Sequence, residues 1–363
     1  MERFKIQFTD AQFDDLHSRL DATRLAPYSQ DSYAHGISIN LLRTLLEEWR
    51  RYDWTPKQDD LNRYDQYLCD LDGQQVHFFH IPSEREDAPT VLLCHGWPDS
   101  FLRYAKLFGE MQDYNLIIPS LPGFAFSTLP PSGYANNAEV SEVWFRLVHD
   151  VLGYRHFFVS GGDMGRGVAS YMTANHPEAV LGLHLTDVGL VGDLISCPDQ
   201  ELSEEELTYK RDAQKWLRLE GAYINIQSTK PQTLAFSLAD SPAGLAAWWG
   251  EKYHAWSDWE HFQLQDLLDA LTLTWMTNTG ATCIRMYHGN SFDLPPLRPG
   301  DIKAPVGIAA FPEDVLPAPQ SWIEKNYPVI RFDKMDFGGH FTALENPEGF
   351  AQSLTAFIGD VLQ

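Results

Sequence analysis

The 363-residue sequence predicts an α/β fold. A mostly parallel central sheet flanked by helices carries a helical cap insertion, and an N-terminal extension packs on the core. Three observations carry this expectation. From about residue 86, short apolar runs alternate with segments of helical composition, the rhythm of a parallel sheet with right-handed crossovers. The stretch Val159-Ser160-Gly161-Gly162-Asp163-Met164-Gly165 joins one such run directly to a helix through a turn of small residues. From about residue 190 to 290 the alternation stops, and the pattern is helical and dense in aromatic residues.

Taken in order, the elements divide the chain into an N-terminal region (1–85), a first part of the core (86–190), a helical cap (191–290) and a second part of the core (291–363). Thr9 and Asp10 can cap a helix bearing Phe13, Leu16 and Leu20, and a second helix spans Ile39 to Trp49. Tyr67 to Ile81, with Asp72-Gly73 at its turn, reads as a hairpin. Buried strands follow at Thr90 to Cys94 and Tyr114 to Pro119, and then a helix over Val140 to Leu152. Phe157 to Ser160 is a strand, Met164 to Ala174 a helix and Val180 to Leu185 a strand. The cap holds Trp216, Trp248, Trp249, Trp256, Trp259, Phe262 and Trp275, most of them expected to pack within the cap. Strand character resumes at Ala304 to Phe311, and Pro347 to Leu362 closes the chain as a helix.

Composition narrows the function classes. Against 27 Lys and Arg stand 50 Asp and Glu, a net charge of −23, which disfavours nucleic acid and anionic membrane as partners. Cys69, Cys94, Cys197 and Cys283 are scattered without C-x-x-C spacing, as expected of free thiols in a reducing compartment. The N-terminus lacks an apolar signal region, and no uncharged apolar run approaches the roughly 18 residues that span a bilayer. A soluble, cytoplasmic protein is expected. A homo-oligomer is compatible with the sequence, which does not specify one.

The chemistry starts at Asp163. A small-x-acid-x-small turn between strand and helix has the layout of the strained nucleophile elbow, usually built around serine. Here the exposed side chain is a carboxylate, suited to displacement at a saturated carbon, as in an epoxide or haloalkane. The resulting ester carries its carbonyl on the protein, so water, a base and an oxyanion hole are still required. The turn His95-Gly96-Trp97-Pro98, directly after a buried strand, can aim the Trp97 N–H at the elbow, and the Met164 N–H supplies the other half of the hole. His340, in Asp336-Phe337-Gly338-Gly339-His340-Phe341, is the candidate base, because it follows every candidate acid as the elbow-bearing order requires. Asp314, Glu313 and Asp187 are the candidate acids to orient it, and chemistry alone does not separate the adjacent pair.

These residues resemble the microsomal-type epoxide hydrolases of the α/β-hydrolase fold, a group that includes juvenile-hormone epoxide hydrolases. The resemblance runs over nearly the whole chain: Phe4 to Arg24, Trp49 to Trp54, His95 to Pro98, Gly161 to Gly165, the cap, and Gly338 to Pro347. Its most specific parts lie in the cap. Glu220-Gly221-Ala222-Tyr223-Ile224-Asn225-Ile226-Gln227-Ser228-Thr229-Lys230-Pro231 is similar to the segment whose tyrosine points at the epoxide oxygen, and Trp275-Met276-Thr277-Asn278-Thr279 followed by Tyr287 to the one supplying a second tyrosine. The resemblance implies that Tyr223 and Tyr287 hold and protonate that oxygen, that Asp314 is the orienting acid, and that His340 is the base. Two departures stand out. Met164 replaces a tryptophan common after the nucleophile, and the membrane anchor of the animal enzymes has no counterpart.

The expected reaction is therefore hydrolysis of an apolar or aromatic epoxide to a vicinal diol, with water as co-substrate and no metal or organic cofactor. A haloalkane dehalogenase would share the aspartate elbow, but Met164 and the tyrosine pair weigh against it. A non-catalytic hydrolase-fold ligand-binding protein is the remaining alternative.

Overall fold

The computed structural model describes residues 1–27, 31–298 and 300–363. One nine-stranded sheet organises the molecule, in the order β1-β2-β3-β5-β4-β6-β7-β8-β9. The strands are β1 Glu2–Phe4, β2 Gln66–Leu71, β3 Gln74–Ile81, β4 Thr90–Cys94, β5 Asn115–Pro119, β6 Phe157–Gly161, β7 Val180–Leu185, β8 Val306–Ala310 and β9 Val329–Lys334. From β5 to β9 every neighbouring pair is parallel, whereas β1, β2 and β3 add an antiparallel margin. The hairpin of the N-terminal region thus extends the sheet. Asp72 and Gly73 at its turn both take positive φ, 58° and 80°, as a tight two-residue hairpin requires.

The central strands read as continuous apolar runs because helices cover both faces. All five residues of β4 and of β6 are buried. The expected helix near residue 140 starts earlier, at Asn137, where Asn136 and Glu139 form a capping box, and it passes into a π-helical turn over Leu147–Val151. Helix Pro347–Leu362 falls on its expected bounds.

Between β7 and β8 the chain forms the helices of the cap, among them Glu204–Leu219, Ala222–Thr229, Pro231–Asp240, Pro242–Trp256, Leu264–Met276 and Met286–Phe292. Of the cap aromatics, Trp249 and Trp256 are buried and Trp259 is exposed. The N-terminal helix Ile39–Arg51 leans on this cap: the Trp49 indole donates to Thr272 Oγ1 at 2.9 Å and meets Trp275 edge-on. Among the described residues, no helix is long and apolar enough to cross a membrane.

Candidate active site

Five strand ends supply the site. His95 to Trp97 follow β4, Asp163 follows β6, Asp187 follows β7, Asp314 follows β8 and His340 follows β9. Since β4, β6, β7, β8 and β9 are consecutive neighbours, their carboxyl ends converge on one edge. Asp163 takes φ 53° and ψ −128°, a backbone conformation that costs a non-glycine residue on the order of 1–3 kcal/mol. Two glycines permit the crowding. A Cβ on Gly165 would stand 2.0 Å from the Cys94 carbonyl oxygen, and one on Gly96 would stand 2.3 Å from Asp163 Oδ1.

The side chains meet as follows. Asp163 Oδ1 accepts from the Trp97 N–H at 2.7 Å and from the Met164 N–H at 2.6 Å. Its other oxygen, Oδ2, lies 3.6 Å from His340 Nε2. His340 Nδ1 lies 2.8 Å from Asp314 Oδ1, while Glu313 is exposed and joins the histidine loop only through its backbone, donating to the Gly338 carbonyl. Asp187 does not pair with His340 directly; its Oδ2 accepts from the Asp163 backbone N–H at 3.1 Å. From the cap, helices Ala222–Thr229 and Met286–Phe292 lower Tyr223 and Tyr287 onto Trp97. Tyr223 stacks on its indole at 5.3 Å and Tyr287 meets it edge-on at 5.6 Å. Trp256 closes the side wall, 5.1 Å from the His340 ring and 5.4 Å from the Tyr223 ring.

The chain is similar to known proteins over nearly its whole length. Residues 1–104 match the model of the epoxide hydrolase N terminus, and residues 89–263 match that of the alpha/beta hydrolase fold. Epoxide hydrolase 1 of Sus scrofa is 32% identical over 406 residues, covering 98% of this chain and 88% of its own. The chain belongs to the epoxide hydrolase family. The solved epoxide hydrolase of Aspergillus niger superposes with a TM-score of 0.87 at 30% identity, covering 99% of this chain and 96% of that one. The juvenile hormone epoxide hydrolase of Bombyx mori gives 0.84 at 26% identity, covering 99% and 93%.

In this family member, electrostatics at the site follow from burial opposed by close charges. Burial disfavours a charged His340, but the carboxylates of Asp163, Asp314 and Asp187 outweigh it and raise the imidazole to about 10. Burial likewise opposes the Asp163 carboxylate, and His340 with the two N–H donors still holds it below the usual carboxylate value. Asp187 is pushed up to about 7 by burial and by the Asp314 carboxylate. Burial and the Asp163 charge push both Tyr223 and Tyr287 well above an ordinary phenol. His95, by contrast, is held neutral by burial, down to about 3, and its Nε2 accepts the Leu121 N–H at 3.0 Å, a structural duty.

Asp163, Asp187 and His340 each bring one ligand atom within 4.8 Å of the others, a group able to hold a cation. A cation there would take the His340 Nε2 lone pair that a base must keep free.

Three supporting groups escaped the sequence reading. Arg103, ion-paired with Asp99 in full burial, donates from Nη1 to the His340 carbonyl at 2.8 Å. Glu345 accepts from the N–H groups of Gly339 and Phe341, on either side of His340, each at 2.8 Å, and from Asp258 of the cap at 2.6 Å. Lys252 lies buried over the Tyr223 ring. The i, i+4 spacing of Asp99 and Arg103 was the one available signal. Glu345 and Lys252 sit in helices, where a charged residue ordinarily faces solvent.

Proposed function

We propose that this epoxide hydrolase opens an apolar or aromatic epoxide through a hydroxyalkyl ester on Asp163 and hydrolyses that ester with water activated by His340. The observation that carries the reading is the division of labour between the two oxygens of Asp163. Oδ1 already rests between two backbone N–H donors, where an ester carbonyl oxygen would need to be. Oδ2 is therefore the oxygen that bonds to the ring carbon.

Tyr223 and Tyr287 hydrogen-bond the ring oxygen as the carbon–oxygen bond breaks, which a strained ether requires to leave. Alkylation removes the negative charge of Asp163, and with it a main support of the His340 imidazolium. The imidazole then sheds its proton and becomes a base, oriented through Nδ1 by Asp314. Water deprotonated by His340 attacks the Asp163 carbonyl carbon, and the oxyanion forms on Oδ1 between the Trp97 and Met164 N–H groups. Positioning and proton traffic are thus supplied by the chain's own residues.

The test is turnover. Purified protein incubated with styrene oxide is expected to yield phenylethanediol, and 1-bromobutane is expected to release no bromide. Bromide release without diol would replace the reading with dehalogenation, and neither product would leave a binding role.

A further inference from the structure

The rings of Tyr223 and Tyr287 stand 5.9 Å apart, and their surroundings are unequal. Lys252, on cap helix Pro242–Trp256, is only 5% exposed, and its ammonium lies 4.6 Å from the centroid of the Tyr223 ring and 5.7 Å from that of Trp256. Among the described residues its counter-ion is Glu251, at 2.6 Å. Among the described residues, the charges that weigh most on Tyr223 are negative: Asp163, Asp187 and Glu251. Lys252 sets a cation against that ring, in a desolvated position where cation–π attraction is strongest.

Resting on the reaction proposed above, we infer that Lys252 is a positioning residue that makes Tyr223 the phenol whose proton is transferred to the ring oxygen, with Tyr287 holding that oxygen by hydrogen bonding alone. An ammonium over an aromatic face interacts more strongly when the ring carries the added electron density of a phenolate. It therefore stabilises the state in which the proton has left more than the state in which it has not.

The step balances. Asp163 Oδ2 forms a bond to the ring carbon, and the carbon–oxygen bond breaks with its electron pair on oxygen. That oxygen takes the Tyr223 proton, leaving a phenolate beside Lys252. The His340 imidazolium, no longer facing a charged Asp163, gives up its proton to restore the phenol. In the second half, His340 takes one proton from water and returns it to the departing alcohol. Asp163, left as a carboxylic acid, returns the other proton to His340.

Single-turnover kinetics with styrene oxide, read by intrinsic tryptophan fluorescence from pH 6 to 9, separate ester formation from ester hydrolysis. Lys252→Met is expected to slow ester formation about tenfold or more while leaving hydrolysis within about twofold. Lys252→Arg, which keeps the cation, is expected to recover most of the loss. Tyr223→Phe is expected to harm ester formation more than Tyr287→Phe, with the gap closing on the Lys252→Met background. Parent-like ester formation in Lys252→Met, equal slowing of both steps unrelieved by arginine, or Tyr287→Phe as the worse lesion would each overturn the inference. Should Lys252→Met not fold, the two tyrosine variants alone decide. A parent protein that forms no ester overturns the underlying reaction as well, and is recognised because no substitution is involved.

Discussion

His340 sits between two carboxylates, 3.6 Å from Asp163 and 2.8 Å from Asp314, and this placement makes its charge state depend on its neighbours. With imidazole raised from 6.5 to about 10, the folded state holds a proton that the unfolded chain releases near neutrality. The stabilisation is fully present below about pH 6.5 and is lost as pH rises through about 10. Thermal melts of the parent are expected to fall across that window more steeply than melts of His340→Gln; parallel slopes would remove the ion pair. The same substitution is expected to cut ester hydrolysis by roughly 10²–10⁴ while ester formation continues, so intact mass after mixing should show protein carrying one epoxide. At this scale the sequence was legible wherever chemistry and turn geometry coincide, as at Asp163 and at His95 to Pro98. It was not legible between Glu313 and Asp314, because adjacent acids in a loop differ only in which way the backbone turns them. The pairing of Glu313 with Gly339 fixes that direction and leaves Asp314 beside the histidine.

The histidine loop and the cap are fastened by two carboxylates, Glu345 and Asp258, whose Oδ2 accepts the Gly338 N–H at 3.0 Å. Glu345 of the short helix Thr342–Glu345 accepts the N–H groups of Gly339 and Phe341 on the loop and of Asp258 on the cap, and the His340 N–H donates to the Trp256 carbonyl at 2.8 Å. Glu345→Ala would leave three N–H groups without their acceptor. At about 1–3 kcal/mol for each buried orphan, a loss of at least about 3 kcal/mol of stability is expected in denaturant melts, with a fall in turnover. A parent-like midpoint would mean that the clasp is ornamental. Elements of this kind expose the limit of pattern reading. β4 and β6 announce themselves because both faces are covered and every residue is apolar. β9, Val-Ile-Arg-Phe-Asp-Lys, lies at the sheet edge with Ile330 and Lys334 exposed, so its charges hide the strand, and β1 is three residues long. Lys252 and Glu345 were hidden for a related reason: a lone charge in a helix carries no mark of burial until the cap is folded onto the core.

Across the whole molecule, the arrangement rests on sheet order. Consecutive neighbours β4, β6, β7, β8 and β9 bring the donor turn, Asp163, two further acids and the histidine to one edge, and a cap carrying the tyrosines closes over it. That order brings together residues separated by up to 245 positions, from His95 to His340. A covalent route through Asp163 is the claim on which everything above depends. One turnover of styrene oxide with excess protein in oxygen-18 water, followed by mass measurement of the peptide containing Asp163, tests it most directly. The account predicts that label enters the Asp163 carboxylate while the first-formed diol carries none. Unlabelled Asp163 with labelled diol would mean that water attacks the epoxide directly, and would contradict it.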